Sequence, residues 1–226
     1  MNFLITGAGR GIGFELTKLA LADGHNVYAL VRNASKATEL TELQSKTPDR
    51  LKILNADVRS AEDLKQAQTQ LKNTPLDVLI NNAGILTDSD IQHLTPDELQ
   101  SVFAVNTFAP IQVTQTFLQN LKSASAPKLV NITSLMGSIS DNGSGGYYAY
   151  RMSKAALNMF AKSFSIDEPS ITTLQLHPGW VRTSMGGPQA PVEPVDSAKG
   201  LYKVIMTAKP DQSGKFFNYD GRPLPW

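Results

Sequence analysis

Seven short apolar, β-rich runs recur along the chain with helix-like segments between them, and this alternation constrains the fold more than any other feature. The runs are Asn2–Thr6, Asn26–Val31, Leu51–Asn55, Val78–Asn81, 128–133, Thr172–His177 and Lys215–Asn218. Segments such as 12–22 and 64–71 carry helical periodicity. Strands that alternate with helices build βαβ units, and these form a parallel sheet covered on both faces. Several runs are apolar throughout, as burial on both faces requires. No repeat of fixed period and no polar linker divides the chain. The expectation is an α/β fold: one doubly wound domain over residues 1–226 with a seven-stranded parallel sheet and helices on both faces. Its cofactor-binding part would span about 1–130, and its catalytic and substrate part about 131–226.

Bulk properties narrow the function. At 226 residues, 41% apolar and 18% charged, the chain can bury a sizeable core and reads as an ordinary soluble globule. A net charge of +1 supplies no field for nucleic acid or an acidic membrane. No cysteine is present, which removes disulfides, thiol nucleophiles and cysteine metal sites. His25, His93 and His177 show no metal-ligand spacing, so no metal is expected. The first residues lack a basic n-region and a long apolar stretch, and no run approaches the ~20 apolar residues that span a bilayer. A cytoplasmic protein is the expectation.

The first run ends in Thr6-Gly7-Ala8-Gly9-Arg10-Gly11-Ile12-Gly13 and leads into a helix-like segment. A glycine-rich turn between strand and helix lets backbone approach a phosphate, and the helix N-terminus offers free N–H groups and partial positive charge to a pyrophosphate. The spacing is Gly-x-x-x-Gly-x-Gly and not the commoner Gly-x-Gly-x-x-Gly, and the lysine and hydroxyl of a triphosphate P-loop are missing; a Rossmann-type dinucleotide site is expected over a plain tight turn. At the end of the second run, where NAD selectivity calls for a carboxylate on the ribose, the sequence has Val31 and Arg32. Arg32 and Arg10 without a competing acid favour a 2′-phosphate. NADP(H) is therefore preferred, with NAD(H) as the alternative.

Further along, Asp57 could accept from an adenine amino group or cap the following helix. Asn81-Asn82-Ala83-Gly84 suits backbone packed against a flat ring or ribose. A helix over 96–121 opens with Thr95 as N-cap and Pro96 at N1. Pro110 cannot donate to the carbonyl of Asn106, so a kink or bulge is expected there, and the polar side chain beside the freed carbonyl suggests a bound water. The fifth run delivers Ser134 to the strand end, where open parallel sheets bind ligands. The stretch 137–146 is a flexible loop by composition. Tyr150 and Lys154 lie four residues apart, on one face of a helix that also carries Asn158. His177 is a candidate base, but just before Pro178-Gly179 it is expected to satisfy that turn. The glycine- and proline-rich stretch as far as Asp196 reads as a lid over the substrate. Phe216, Phe217 and Tyr219 read as a closing strand and core.

Together, Thr6-Gly7-x-x-x-Gly11-x-Gly13, Asp57, Asn81-Asn82-Ala83-Gly84, Asn106, Ser134, Tyr150-x-x-x-Lys154 and Pro178-Gly179 resemble the short-chain dehydrogenases/reductases, in that family's order and over nearly the whole chain. The stretches 105–110 and 150–158 and the ending Asn218-Tyr219-Asp220-Gly221 are similar to the carbonyl reductase, Sniffer and C-factor-like branch. Ser134 and Tyr150 stand sixteen positions apart. The family's usual spacing is about a dozen, so this insertion is also similar to the branch.

The resemblance implies a tetrad of Asn106, Ser134, Tyr150 and Lys154. Tyr150 would protonate a carbonyl oxygen held by Ser134, Lys154 would anchor the nicotinamide ribose and depress the phenol pKa, and Asn106 would hold a linking water. Poising a phenol near 7 needs roughly 4 kcal/mol of interaction with its anion. Cofactor contacts are implied at Thr6, Gly7, Arg10, Gly11, Ile12, Gly13, Arg32, Asp57, Val58, Asn82, Ala83, Gly84, Tyr150, Lys154, Pro178, Gly179, Val181 and Thr183. The implied activity is NADPH-dependent reduction of a small ketone, aldehyde or quinone. The alternatives are alcohol oxidation with NAD(P) and a signalling or cofactor-sensing protein with little turnover. Relatives pair through the helices that carry Asn106 and Tyr150, which implies a homodimer or homotetramer.

Overall fold

The computed structural model describes all of residues 1–226. All seven expected strands form: β1 (Asn2–Thr6), β2 (Asn26–Val31), β3 (Leu51–Asn55), β4 (Val78–Asn81), β5 (Lys128–Ile132), β6 (Thr172–His177) and β7 (Lys215–Asn218). β5 stops one residue early, and Thr133 leaves the ladder after donating its N–H to Leu176 O at 2.9 Å. The strands pair in the order β3-β2-β1-β4-β5-β6-β7, all parallel. The chain reverses direction across the sheet between β1 and β4, which opens a crevice at their C-terminal ends.

The helices are α1 (Gly11–Ala22), α2 (Thr38–Lys46), α3 (Ala61–Leu71), α4 (Pro96–Phe103), α5 (Ala109–Lys122), α6 (Tyr148–Asp167) and α7 (Pro194–Thr207). Two apolar clusters cover the two faces of the sheet. Phe3 and Ile5 of β1 and Val78 and Ile80 of β4 pack with Leu16, Leu40 and Leu201 from α1, α2 and α7. Leu4 and Leu79, one residue along, face the other way and pack with Leu64, Val113 and Phe117 from α3 and α5. Period-two alternation with both faces buried explains why these strands read as unbroken apolar runs.

A polar ladder crosses the middle of the sheet. Asn81 Nδ2 donates to Asn131 Oδ1 at 2.9 Å, and Asn131 Nδ2 donates to Gln175 Oε1 at 3.1 Å. These residues share one register across β4, β5 and β6. A one-residue slip would strand buried amides without partners, so the ladder fixes the alignment of the strand ends beyond it.

The expected kinked helix over 96–121 exists in three parts. Thr95 Oγ1 accepts from Glu98 N at 3.2 Å and starts α4. Residues Ala104–Phe108 then widen into a π-helical turn before α5 resumes at Ala109. The interruption is a bulge of the kind that recurs at functional sites, and it absorbs Pro110 without ending the helix.

Candidate functional site

The turn after β1 is locked to the turn after β4. Asn82 Nδ2 donates to Thr6 O at 2.9 Å and to Gly7 O at 3.2 Å. Thr6 Oγ1 accepts from Asn82 N at 3.0 Å and Ala83 N at 3.1 Å. Two residues expected at the cofactor thus spend their side chains joining the halves of the crevice. Gly7 and Gly11 take φ of +65° and +55°, which disfavours any side chain. A methyl on Gly13 would lie 2.5 Å from both Gly7 O and Asn82 Nδ2. The first turn of α1 has neither a side-chain cap nor an acid, so its N–H groups and dipole face the crevice uncompensated.

Beyond β2 and β3 the charges are arranged around Asp57. Arg10 and Arg32 are exposed, and neither takes part in a salt bridge. Asp57 is gripped by Arg59, whose Nη2 donates to Oδ2 at 2.6 Å and whose Nε donates to Oδ1 at 3.1 Å. That hydrogen bond is the main reason the carboxyl lies below its ordinary range, and the charge of Arg32 contributes less. Of the two readings for Asp57, helix capping is excluded, because Ser60 caps α3 through Asp63 N at 3.1 Å. Sequence reasoning missed Arg59, although an acid and an arginine two residues apart could have signalled the pair. An uncapped helix start, glycines that no larger residue could replace and two unpaired guanidiniums suit a dinucleotide with an extra phosphate.

Asn106, Ser134, Tyr150 and Lys154 come together, all buried, beside the C-terminal ends of β4 and β5. Lys154 Nζ donates to Ile132 O at 2.9 Å and lies 5.7 Å from the centre of the Tyr150 ring. A methyl on Gly84 would approach Asn106 Oδ1 to 3.3 Å and Lys154 Nζ to 3.7 Å, so bare backbone separates these groups. The π-turn aims Asn106 at Ile85: Oδ1 accepts from Ile85 N and Nδ2 donates to Ile85 O, each at 2.9 Å. The Asn106 side chain is thus bound to the segment after β4 and, at 3.1 Å, to Ser153 Oγ on α6. Thr133 Oγ1 donates to Asn158 Oδ1 at 2.7 Å, and Asn158 Nδ2 donates to Gly137 O at 3.3 Å, which fixes the Ser134 turn against α6.

Burial sets the protonation of the pair. It pushes the Tyr150 phenol above its ordinary value, against the smaller downward pull of its hydrogen bond with Ser134. It pushes the Lys154 ammonium down to about 8. Taken together, the polypeptide's own groups leave the phenol above its ordinary value and not below it, contrary to expectation. A buried ammonium with one carbonyl partner has two donors left to bind a polar ligand.

The segment after β6 folds back on itself. Arg182 N donates to Val192 O at 2.8 Å, Arg182 Nε to Ala190 O at 3.1 Å, and Arg182 pairs with Glu193 at 2.6 Å. A methyl on Gly11 would meet Thr183 Cγ2 at 3.3 Å, so this segment reaches across to the glycine turn. Pro178, Gly179 and Val181 form its first leg, and Val181 pairs with Val192. His177 departs from expectation. Its Nδ1 is buried without a partner, so it does not satisfy the turn. Burial lowers its pKa to about 4 and keeps it neutral. Phe216 and Phe217 are buried in β7 as expected, and no helix is long and apolar enough to cross a membrane.

With this geometry in view, comparison with known proteins is decisive about family. Residues 2–193 match the family model for short chain dehydrogenases. The chain belongs to the short-chain dehydrogenase family and, with it, to the NAD(P)-dependent oxidoreductases. Its relatives include C-signal of Myxococcus xanthus, 42% identical over an alignment of 166 residues that covers 70% of this chain and 97% of that protein. The fold is similar to NADPH-bound carbonyl reductase from chicken fatty liver, with a TM-score of 0.95 and 35% identity over 100% of this chain and 98% of the other. It is equally similar to the carbonyl reductase Sniffer of D. melanogaster, with a TM-score of 0.95 and 36% identity over 100% and 99% of the two chains. These proteins fall in the branch that the sequence resembles.

Proposed function

We propose that this chain reduces a small ketone, aldehyde or quinone with NADPH. The observation that carries the reading is the burial of Ser134, Tyr150, Lys154 and Asn106 together at the strand ends, across from a glycine turn built to admit a pyrophosphate. Bound NADPH supplies the hydride that the carbonyl carbon receives. Tyr150 keeps its proton at Oη, as burial favours, and passes it to the carbonyl oxygen; hydride and proton together give the alcohol. Ser134 Oγ holds that oxygen in place. Lys154 Nζ directs its free donors toward the nicotinamide ribose, and its charge, with that of the oxidised ring, stabilises the tyrosinate left after proton transfer. Asn106, anchored on Ile85 and Ser153, keeps the π-turn open for a water that returns protons to Lys154.

The turn from Gly7 to Gly13 with Ile12 would hold the pyrophosphate, and Asp57, Val58, Ala83 and Gly84 would line the adenine and ribose positions. Pro178, Gly179, Val181 and Thr183 would contact the nicotinamide end. The preference for NADPH rests on the unpaired Arg10 and Arg32, and it agrees with the cofactor named for the chicken reductase. Homo-oligomerisation through α6 belongs to the same reading. Met152, Met159 and Ile166 recur there at seven-residue intervals with 49%, 66% and 66% of their surface exposed, a stripe that a second copy could cover.

The test measures NADPH and NADH oxidation against a carbonyl panel. Tyr150→Phe lowers turnover by roughly 10²–10⁴ while NADPH affinity holds, and unchanged turnover refutes the assigned acid. Arg32→Ala weakens NADPH more than NADH; equal losses remove Arg32 from the 2′-phosphate. Similarity to C-signal favours a second reading, a cofactor-sensing signal protein. Tight NADPH binding with no turnover of any carbonyl would select it.

A further inference from the structure

The loop between Ser134 and Tyr150 has a built-in clamp. Its backbone passes through three consecutive residues with positive φ: Gly145 at +64°, Gly146 at +66° and Tyr147 at +52°. For tyrosine this left-handed conformation is costly, and it persists only where surrounding contacts hold it. Those contacts converge on Arg151, the residue after Tyr150. Arg151 Nε donates to Gly145 O and Gly146 O, each at 3.1 Å, and Nη2 donates to Ser144 Oγ at 2.9 Å. Nη1 reaches Met136 O at 3.5 Å on the near side of the loop. One planar guanidinium thus ties both ends of the loop to the first turn of α6, a geometry that an ammonium cannot reproduce.

The far side of the loop is tied separately. Ser140 N and Oγ both donate to Trp226 O, at 3.0 and 2.6 Å, and Trp226 stacks on Phe216 with ring centres 5.5 Å apart. Within the loop, Asp141 N donates to Ser138 Oγ at 3.2 Å and Gly145 N to Asn142 Oδ1 at 3.1 Å. A stretch expected from composition to be flexible is held at three places.

Resting on the reading above, we infer that Arg151 is a positioning residue: it holds the 138–147 loop as a preformed wall of the substrate site and thereby determines which carbonyl compounds fit beside Tyr150. The guanidinium makes no contact with reacting atoms. It acts by fixing the carbonyls of Gly145 and Gly146 and, through them, the entry of the chain into α6. A wall fixed in advance spares the substrate the entropy of ordering a loop, so the effect appears in KM and selectivity.

The experiment compares wild type, Arg151→Ala and Arg151→Lys. For a bulky aromatic ketone, Arg151→Ala raises KM by roughly tenfold or more, as loss of a charge-assisted clamp implies. Turnover of a short aldehyde and NADPH affinity stay within about twofold. Arg151→Lys recovers part of the selectivity. Hydrogen exchange, read on the amides of Ser140, Asp141 and Gly145, accelerates in Arg151→Ala while α6 stays protected. Unchanged KM and selectivity overturn the inference, and so does a uniform loss of turnover and NADPH binding. If wild type turns over no carbonyl, the exchange measurement still decides whether Arg151 holds the loop; unaltered exchange refutes the clamp whatever the activity.

Discussion

The turn after β1 and the 138–147 loop are both rich in glycine, for different reasons. In the first, glycine answers to packing: a methyl on Gly13 would overlap Gly7 O and Asn82 Nδ2 at 2.5 Å, and one on Gly7 would come within 3.0 Å of the Ala83 backbone. In the second, nothing lies within 4 Å of a methyl on Gly143, Gly145 or Gly146. Gly145 and Gly146 are there for their positive φ, and Gly143 has neither constraint. Backbone thus shapes the turn after β1, which tolerates almost no substitution. The 138–147 loop is open in space and held by a few side chains, chiefly Arg151. On the proposed reading the first would hold a cofactor of fixed shape and the second would face one substrate among many, which suits main chain in one and replaceable contacts in the other.

The largest effect is expected at Lys154, which packs against Gly137 at the foot of the loop and donates to Ile132 O. Its folded-state pKa of about 8 is below the 10.5 of the unfolded chain, so the unfolded state binds more protons between those values. Stability therefore rises with pH across that window, and below pH 8 the penalty is fully expressed, at about 3 kcal/mol. Lys154→Met should abolish turnover and yet, without cofactor, be more stable than wild type by up to that amount at pH 7. The difference should narrow as pH climbs from 8 toward 10.5. Denaturant melts of both proteins across pH check it; a gap that ignores pH would mean that the ammonium is not strained by burial.

A smaller effect separates the two sets of glycines. Gly13→Ala should cost about 1–3 kcal/mol, as overpacking does, and should weaken NADPH binding as the turn shifts. Gly143→Ala should change stability by no more than about 0.5 kcal/mol and leave NADPH binding unaltered. Thermal melts and cofactor titration of the two variants suffice. Equal costs would erase the distinction between a packed and an open glycine.

The sequence revealed what is local. The strands were legible because burial on both faces makes them apolar throughout, and the start of α4 was legible from Thr95 and Pro96. The glycine turn, Ser134 and the Tyr150–Lys154 pair follow short rules of spacing. What stayed hidden depends on residues far apart in the chain. Asn131 and Gln175 look like polar interruptions until the sheet aligns them with Asn81. The π-turn at Asn106 is visible as a conflict between Asn106 and Pro110, which predicts a kink or bulge but not which of the two forms. Arg151 carries no signal of its own, because its partners are set by how the 138–147 loop turns back; Arg59, two residues from Asp57, is the exception that a local rule could reach. His177 has the position of a turn residue in the sequence, yet burial leaves its Nδ1 with no partner.

The central claim is that NADPH reduces a carbonyl compound in this site. The most direct measurement follows deuterium from NADPH labelled at the transferring carbon into the product of the best substrate in the panel, read by mass spectrometry. The account predicts one deuterium on the carbinol carbon in wild type, and the same labelled alcohol formed roughly 10²–10⁴ times more slowly with Tyr150→Phe. Alcohol formed without the label would contradict it.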